Sequence, residues 1–284
     1  MSTSIRVTVL VENTAFGRHL RAEHGLAFWI ESGPHRILFD TGQTPEVLFH
    51  NAECLGIDLS TTDTVVLSHG HYDHTGGLNA ILAQGGGVDL FLHPGALARR
   101  YSRGKDGSVN EIGMPGSPDR EELSTKAASV TWTSKCSTIR DGISVTGGVP
   151  RNTDYEDTGG GFFLDERCEV PDPIDDDQAV FFDSAEGTVV LLGCAHAGVV
   201  NTLRHVQAQA DHNLFVGVVG GTHLVAASDE RMRKTVEALG EFELDLLAPV
   251  HCTGARSQVR LASEFPGIWE PTHVGSRFEF HRPG

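Results

Sequence analysis

"VVLSHGHYDHTGGL", residues 65–78, decides how this chain is read. It carries His69, His71, Asp73 and His74 within six positions, and Val65, Val66 and Leu67 lead in as a short buried strand would. Gly70, Gly76 and Gly77 punctuate the cluster and offer backbone freedom around it. The expected local structure is a strand over 63–70 ending in a polar turn. His69 and His71 are two apart, so at a strand end they face the same way, with Asp73 and His74 following. A lone histidine is ordinarily a hydrogen-bonded core or surface residue, and fifteen in 284 residues is only somewhat rich. Four such donors in six positions answer to no packing need. Imidazole nitrogen and carboxylate oxygen are instead what borderline cations such as Zn²⁺ accept.

Around this stretch the composition is that of a soluble globular protein, 39% hydrophobic and 21% charged. A formal charge of −16 argues against nucleic acid as the main partner, since phosphate binding needs a net basic face. The opening "MSTSIRVTVLVEN" enters an alternating strand without an apolar signal region, and no run of 18 apolar residues follows anywhere. The expectation is a cytoplasmic protein with a small-molecule substrate and no membrane partner, its oligomeric state left open. Cys54, Cys136, Cys168, Cys194 and Cys252 are odd in number, scattered and never in a CxxC pair, which predicts reduced thiols.

Strand-like runs fall at 5–12, 25–32, 35–42, 63–70 and 88–94, and return after residue 128 in "SVTWTS", "GISVTGGV", "QAVFFDSAEGTVVLLGCAHAG", "NLFVGVVGGTHL" and "DLLAPVHCTG". Helical spacing marks "PEVLFHNAECLGI", "GGLNAILAQG", "VVNTLRHVQAQA" and "SDERMRKTVEALGEF", the last with Ser228 as N-cap and Asp229 and Glu230 in its first turn. Two strand-rich halves that each supply helices predict two mixed sheets face to face with helices outside, in one domain spanning 1–284. The polar segments 95–127 and 150–178 are too long for plain connections and are expected to be lid or insert loops. Asp175, Asp176 and Asp177, within the second, read as a solvated run. His212 is expected in a surface turn.

"SHGHYDHTGG" has the HxHxDH pattern and resembles the metallo-β-lactamase superfamily; "HRILFDTGQ" (35–43) is similar to that superfamily's strand preceding the motif. The resemblance implies an α+β fold, an αββα four-layer sandwich of two mixed sheets flanked by helices. It also implies a two-metal site: one ion held by His69, His71 and His196, the other by Asp73, His74 and His251, with Asp40 bracing from behind. Zinc is the expected metal, as one or two ions, with iron or manganese as alternatives. Where most members carry a bridging aspartate after a strand, this chain reads "VVGGTHL", with Gly221 in the aspartate's place. His223, two residues on, would face the same side if the strand continued, so either it replaces the bridge as a ligand or catalytic contact or the second ion is held weakly, one tight and one weaker ion being expected; an aspartate restored at 221 would then tighten the second ion. "GCAHAG", "GGTHL" and "HCTG" together resemble the dihydropteroate-synthase-like branch, which implies a dihydropterin or an aryl ribosyl phosphate as a substrate class.

Cys194 is read first as a small buried thiol packed at a strand end behind His196, with a soft metal ligand as the alternative, and Cys252 is expected to point away from the metals. Arg151 is expected either to grip a substrate phosphate or carboxylate, or to pair with Asp154 or Glu156. The function this favours is metal-dependent hydrolysis of a small-molecule ester, phosphoester or related substrate, with Asp73 and His223 in catalytic contact. Two alternatives remain: a non-haem iron oxidoreductase, and a sensor that retains metal without turnover. Flavodiiron proteins prefer glutamate at the second motif position, where this chain has His71, and metal analysis with a substrate panel separates all three.

Overall fold

Residues 188–192, TVVLL, are apolar on both strand faces, and such a strand is stable only when covered on both sides. The computed structural model, which describes residues 4–85, 87–210 and 214–283, covers it so. His212 lies outside the described residues. Val189 and Leu191 join the core between two sheets, while Val190 and Leu192 join a second core under helices.

The strands are β1 (Ser4–Val11), β2 (Ala27–Ser32), β3 (His35–Phe39), β4 (Thr64–Val66), β5 (Asp89–Leu92), β6 (Tyr101–Arg103), β7 (Val109–Glu111) and β8 (Ser129–Trp132). They continue as β9 (Ser137–Arg140), β10 (Ile143–Val145), β11 (Phe162–Phe163), β12 (Ala179–Asp183), β13 (Thr188–Leu192), β14 (Phe215–Gly221), β15 (Leu246–Val250) and β16 (Arg277–His281). The helices are α1 (Pro45–Cys54), α2 (Tyr72–Thr75), α3 (Leu78–Leu82), α4 (Arg120–Lys126), α5 (Val199–Gln207), α6 (Asp229–Leu239) and α7 (Ala255–Glu264). Among the described residues, one sheet has the order β16-β1-β2-β3-β4-β5-β8 and the other β15-β14-β13-β12-β10-β9. Both are mixed: β3, β4, β5 and β8 run parallel in the first, and β13, β14 and β15 in the second. Phe28, Phe39 and Val9 meet Phe182, Leu191 and Val219 between the sheets. Leu38, Val65 and Leu90 pack outward under Leu48, Leu78 and Leu123 of the helices, and Leu203, Leu239 and Leu261 cover the far side of the second sheet. The result is the expected α+β four-layer αββα sandwich.

Three local expectations change. The strand expected over 63–70 stops at Val66, because the Ser68 amide donates to the Asp40 carboxylate (2.7 Å) and not to a neighbouring strand. None of the three motif glycines has a left-handed φ; what Gly70 provides is space, since a methyl group built on it would lie 2.1 Å from the Ala96 carbonyl oxygen. α7 gave little signal because Ser257 and Leu261 alone are its buried residues.

The segments 95–127 and 150–178 are not structureless loops. β6 and β7 of the first pair antiparallel, and β11 of the second adds to β6, making a small third sheet from both segments. Beneath it Arg100, 2% exposed, donates to both carboxylate oxygens of Asp176 (2.9 and 2.5 Å) and lies 2.7 Å from Asp172. Only Asp175 of the acidic run is exposed; Asp176 and Asp177 are buried, which corrects the reading of a solvated run. No helix among the described residues is long and apolar enough to cross a membrane. All five cysteines are free.

Candidate metal centre

The site forms where β3, β4, β13, β14 and β15 deliver their carboxyl-terminal ends to one edge of the sandwich. Four of the eight non-glycine residues with positive φ among the described residues stand there: Asp40 (60°), Ala195 (54°), His223 (46°) and His251 (53°). Each follows a strand end, so a left-handed turn folds the chain back across the sheet edge instead of letting the strand run on. Such backbone costs of order 1–3 kcal/mol per residue and persists where the surroundings over-determine it.

Asp40 fixes the motif from behind. Its carboxylate takes the Ser68 hydroxyl (2.7 Å) and Nδ1 of His74 (2.7 Å), and the Ser68 oxygen lies 2.9 Å from Nδ1 of His69. With Nδ1 so engaged, both histidines present Nε2 to the site. Nε2 of His69 lies 2.9 Å from Nδ1 of His71; His69 and His196 rings are 4.7 Å apart, and His71 and His196 4.9 Å. His196 donates Nδ1–H to the Thr158 carbonyl (2.8 Å), which turns its Nε2 inward. On the other side Nε2 of His74 lies 3.3 Å from Nε2 of His251, whose Nδ1 is held by Asn13 Oδ1 at 2.9 Å and whose amide is held by Glu12 at 2.8 Å. Asp73 Oδ2 reaches Nε2 of His251 (3.3 Å) and of His24 (3.2 Å).

The structure therefore brings His69, His71, His196, His74, His251 and Asp73 together. The Nε2 atoms of His71 and His196 are buried without a hydrogen-bond partner among the described residues, and an unpaired buried imidazole nitrogen is costly unless something coordinates it. Among the described residues three groups have donor atoms that all lie within 4.8 Å: His69, Cys194 and His196; His74, Cys194 and His251; and His24, Asp73 and His251. The residues fit a transition-metal centre in both geometry and donor chemistry.

Electrostatics agree. Burial, reinforced by neighbouring imidazoles, pushes His69 and His196 well below the ordinary histidine value, and burial takes His71 down to about 3. Neutral imidazoles are what a cation requires. Burial also opposes charge on Asp73 and His74, but their partners outweigh it. His74, His24 and His251 hold the Asp73 carboxyl well below the carboxylate range, and Asp40 and Asp73 raise His74 to about 9.

His223 does reach this cleft, though not by strand continuation: β14 ends at Gly221 and the chain turns. Its ring lies 4.3 Å from that of His196, and its buried Nδ1 has no hydrogen-bond partner among the described residues. Cys252, expected to point away, also lines the cleft; its sulfur accepts the His223 amide at 3.3 Å. Arg151 is not brought into the cleft. It donates to the carbonyls of His196 and Pro173 (both 2.5 Å), so it braces the His196 turn and pairs with neither Asp154 nor Glu156.

A side chain at 221 has no room. A Cβ there would lie 2.3 Å from the Gly193 carbonyl and 2.7 Å from the Cys252 sulfur. Gly221→Asp is therefore expected to destabilise the fold and loosen metal, contrary to the sequence expectation of a restored bridge. Thermal melting with metal titration checks this, and a variant that melts normally and binds the second ion more tightly would refute it.

Sequence reasoning missed His24, Asn13, Arg100 and Phe162. Phe162, brought in by β11, lies with its ring centre 5.3 Å from those of His71 and His196. None of these four stands in a local pattern that marks it. The cleft measures about 470 Å³, and no lysine or arginine is among its described lining residues. Beside it, an apolar groove of about 480 Å³ shares Asn13, His251 and Gly254 and carries Phe16 and Trp269.

Comparison with known proteins gives concordant matches. A family model described as the metallo-beta-lactamase superfamily covers residues 20–217. The chain is 28% identical, over 98% of its length and 97% of the relative's, to 7,8-dihydropterin-6-methyl-4-(beta-D-ribofuranosyl)-aminobenzene-5'-phosphate synthase of Methanocaldococcus jannaschii. An uncharacterized protein of the same organism is 30% identical over 90% of this chain and 93% of that one. The crystal structure of Tm1679, described as a metal-dependent hydrolase of the beta-lactamase superfamily, superimposes with a TM-score of 0.83 at 29% identity, covering 98% of this chain and 99% of the other. Zn(2+)-bound PqqB from Methylobacterium extorquens shares the fold at 13% identity, with a TM-score of 0.57 and coverage of 96% and 99%.

Proposed function

The chain belongs to the metallo-β-lactamase superfamily, and from that premise we propose that it is a metal-dependent hydrolase of a small-molecule ester or phosphoester, with pterin- or phosphate-linked compounds the first to test. The observation that carries the reading is the pair of Nε2 atoms on His71 and His196, buried without a hydrogen-bond partner among the described residues, on imidazoles that burial keeps neutral. His69, His71 and His196 would hold one ion and Asp73, His74 and His251 the other. Bound metal would supply a water of lowered pKa and a Lewis acid for the scissile group.

The chain's own residues do the rest. Asp73, ionised under its histidine partners, accepts a hydrogen bond and so orients a water at the mouth of the cleft. His223 is held to about 4, chiefly by burial, so at neutral pH it acts as an acceptor rather than a cation. Phe162 shields the His71 and His196 side from bulk water. Since no lysine or arginine is among the described residues that line the cleft, a phosphate on the substrate would meet imidazole and backbone donors there and no fixed side-chain cation. Phe16 and Trp269 offer apolar faces to an aromatic portion lying in the adjoining groove.

The methanogen relative is named for a dihydropterin joined to a ribosyl-aminobenzene phosphate, and its name is that of a synthase, so a bond-forming reaction belongs in the assay. The test is metal analysis together with a panel of phosphoesters, lactones, thioesters, β-lactams and dihydropterin compounds. Turnover that a chelator abolishes and zinc restores is expected. Redox turnover with iron, or tight metal with no turnover of any kind, would replace the reading with an oxidoreductase or a sensor. His223→Ala is expected to lower turnover or metal affinity by at least about tenfold, the scale for losing a group that supports a metal site. A wild-type rate and metal content in that variant would make His223 a packing residue.

A further inference from the structure

Two of the three donor groups share one atom, the sulfur of Cys194. It comes from the turn after β13, two residues before His196, and is 3% exposed. It lies 3.1 Å from Nε2 of His74, the nitrogen opposite the one that Asp40 holds. The same sulfur groups with His69 and His196 on one side and with His74 and His251 on the other, so it stands between the two triads. Gly221 can put nothing there, because any Cβ would meet the Gly193 carbonyl, the Cys252 sulfur and the Cys194 backbone. The Cys252 thiol packs against Cys194 from behind, 3.6 Å from its carbonyl oxygen, but belongs to neither donor group.

We propose that Cys194 is the shared ligand of a two-metal centre, a thiolate bridging the ions at the place where related sites use a carboxylate. The inference rests on the metal-site reading above. Metal binding would convert the thiol to a thiolate and release its proton to solvent; no oxidant or reductant is involved. A sulfur has lone pairs for two ions, and its softness favours zinc, cobalt or iron over manganese, magnesium or calcium. The proposal thus narrows the metal as well as adding a ligand.

Cobalt(II) reports thiolate ligation by a sulfur-to-metal charge-transfer band in the near ultraviolet, and zinc reports it by an X-ray absorption shell at about 2.3 Å. The intact protein is stripped and loaded with two equivalents of cobalt, then prepared as both mixed species: cobalt first with zinc second, and zinc first with cobalt second. A bridging sulfur gives the band in both mixed species. A band in only one makes Cys194 a terminal ligand and overturns the shared role; a band in neither overturns ligation altogether. Cys194→Ser should abolish the band and weaken the second ion by at least about tenfold, whereas Cys252→Ser should keep the band. A band that persists in Cys194→Ser, or vanishes only in Cys252→Ser, would assign the sulfur wrongly. The wild-type measurements do not depend on how well either variant folds. Because they need no substrate, they also separate this inference from the hydrolase reading: sulfur ligation without turnover sinks only the latter, and turnover without sulfur ligation only the former.

Discussion

Replacing Arg100 by alanine should lower the unfolding free energy by about 3–5 kcal/mol, the range for stripping one partner from a buried ion pair. The arginine is fully enclosed and holds Asp172 and Asp176, neither more than 5% exposed. Without it, two carboxylates are left buried side by side. For a chain of this size each kcal/mol moves the melting temperature by roughly 2–4 °C, so a fall on the order of 10 °C is expected by calorimetry. The effect should also reach the metal centre, because Asp176 takes the Gly70 amide at 2.8 Å between His69 and His71. Neutralising the carboxylates as well, in Arg100→Met with Asp172→Asn and Asp176→Asn, should recover most of the stability, since the penalty comes from unpaired charge. An Arg100→Ala protein that melts like wild type would show that the polar cluster does not hold this edge.

A second large effect is expected from metal and pH together. In the chelated protein, His69, His71, His196, His223 and His251 all have folded pKa values below the unfolded one, with His71 at about 3 and His223 at about 4. Between those values and about 6.5 the unfolded chain binds more protons than the folded chain, so stability rises with pH through that window and is fully present above it. His74 runs the other way: raised to about 9, it contributes fully below about 6.5 and loses its contribution as pH climbs to 9. Five lowered histidines outweigh His74 and the Asp177 carboxyl, which burial raises to about 7, leaving an acid-labile protein with its optimum near pH 7, and urea unfolding in chelator should lose about 3 kcal/mol or more between pH 7 and pH 5. Zinc at about a thousand times its dissociation constant should add about 4 kcal/mol at pH 7. A chelated protein with a flat profile over that range would contradict the buried neutral cluster.

Much of the fold was legible because apolar periodicity is a direct consequence of burial. Val189 to Leu192 could belong only to a strand covered on both faces, and Ser228, Asp229 and Glu230 marked the start of α6 where the structure has it, Ser228 accepting the Arg231 amide at 3.1 Å. The histidines of the motif could be grouped from their local density. What the sequence does not display is how a chain turns after a strand ends. Alternation put His223 on the face of a continuing strand and turned Cys252 away, yet left-handed residues at 223 and 251 redirect both into the cleft. Arg100, Asp172 and Asp176 escaped for another reason: charged residues read as solvated unless their partners are visible, and these partners lie 72 and 76 positions away. Cys194 was taken for packing because a thiol in an apolar strand end usually is; only the convergence of two separate triads on its sulfur distinguishes it.

The small sheet formed by β6, β7 and β11 joins two segments that the sequence keeps apart, and Arg100 of one clasps Asp172 and Asp176 of the other. Removing 150–178 alone would strip β6 of β11, and removing 95–127 alone would leave β11 without its strand partner; either leaves a raw strand edge, an invitation to pairing with other chains. The two segments are consequently one structural unit. Anyone transplanting binding preference between relatives would have to move residues 95–127 and 150–178 as a matched pair, and lineages that alter one half should be free to do so only as fast as the other half can follow.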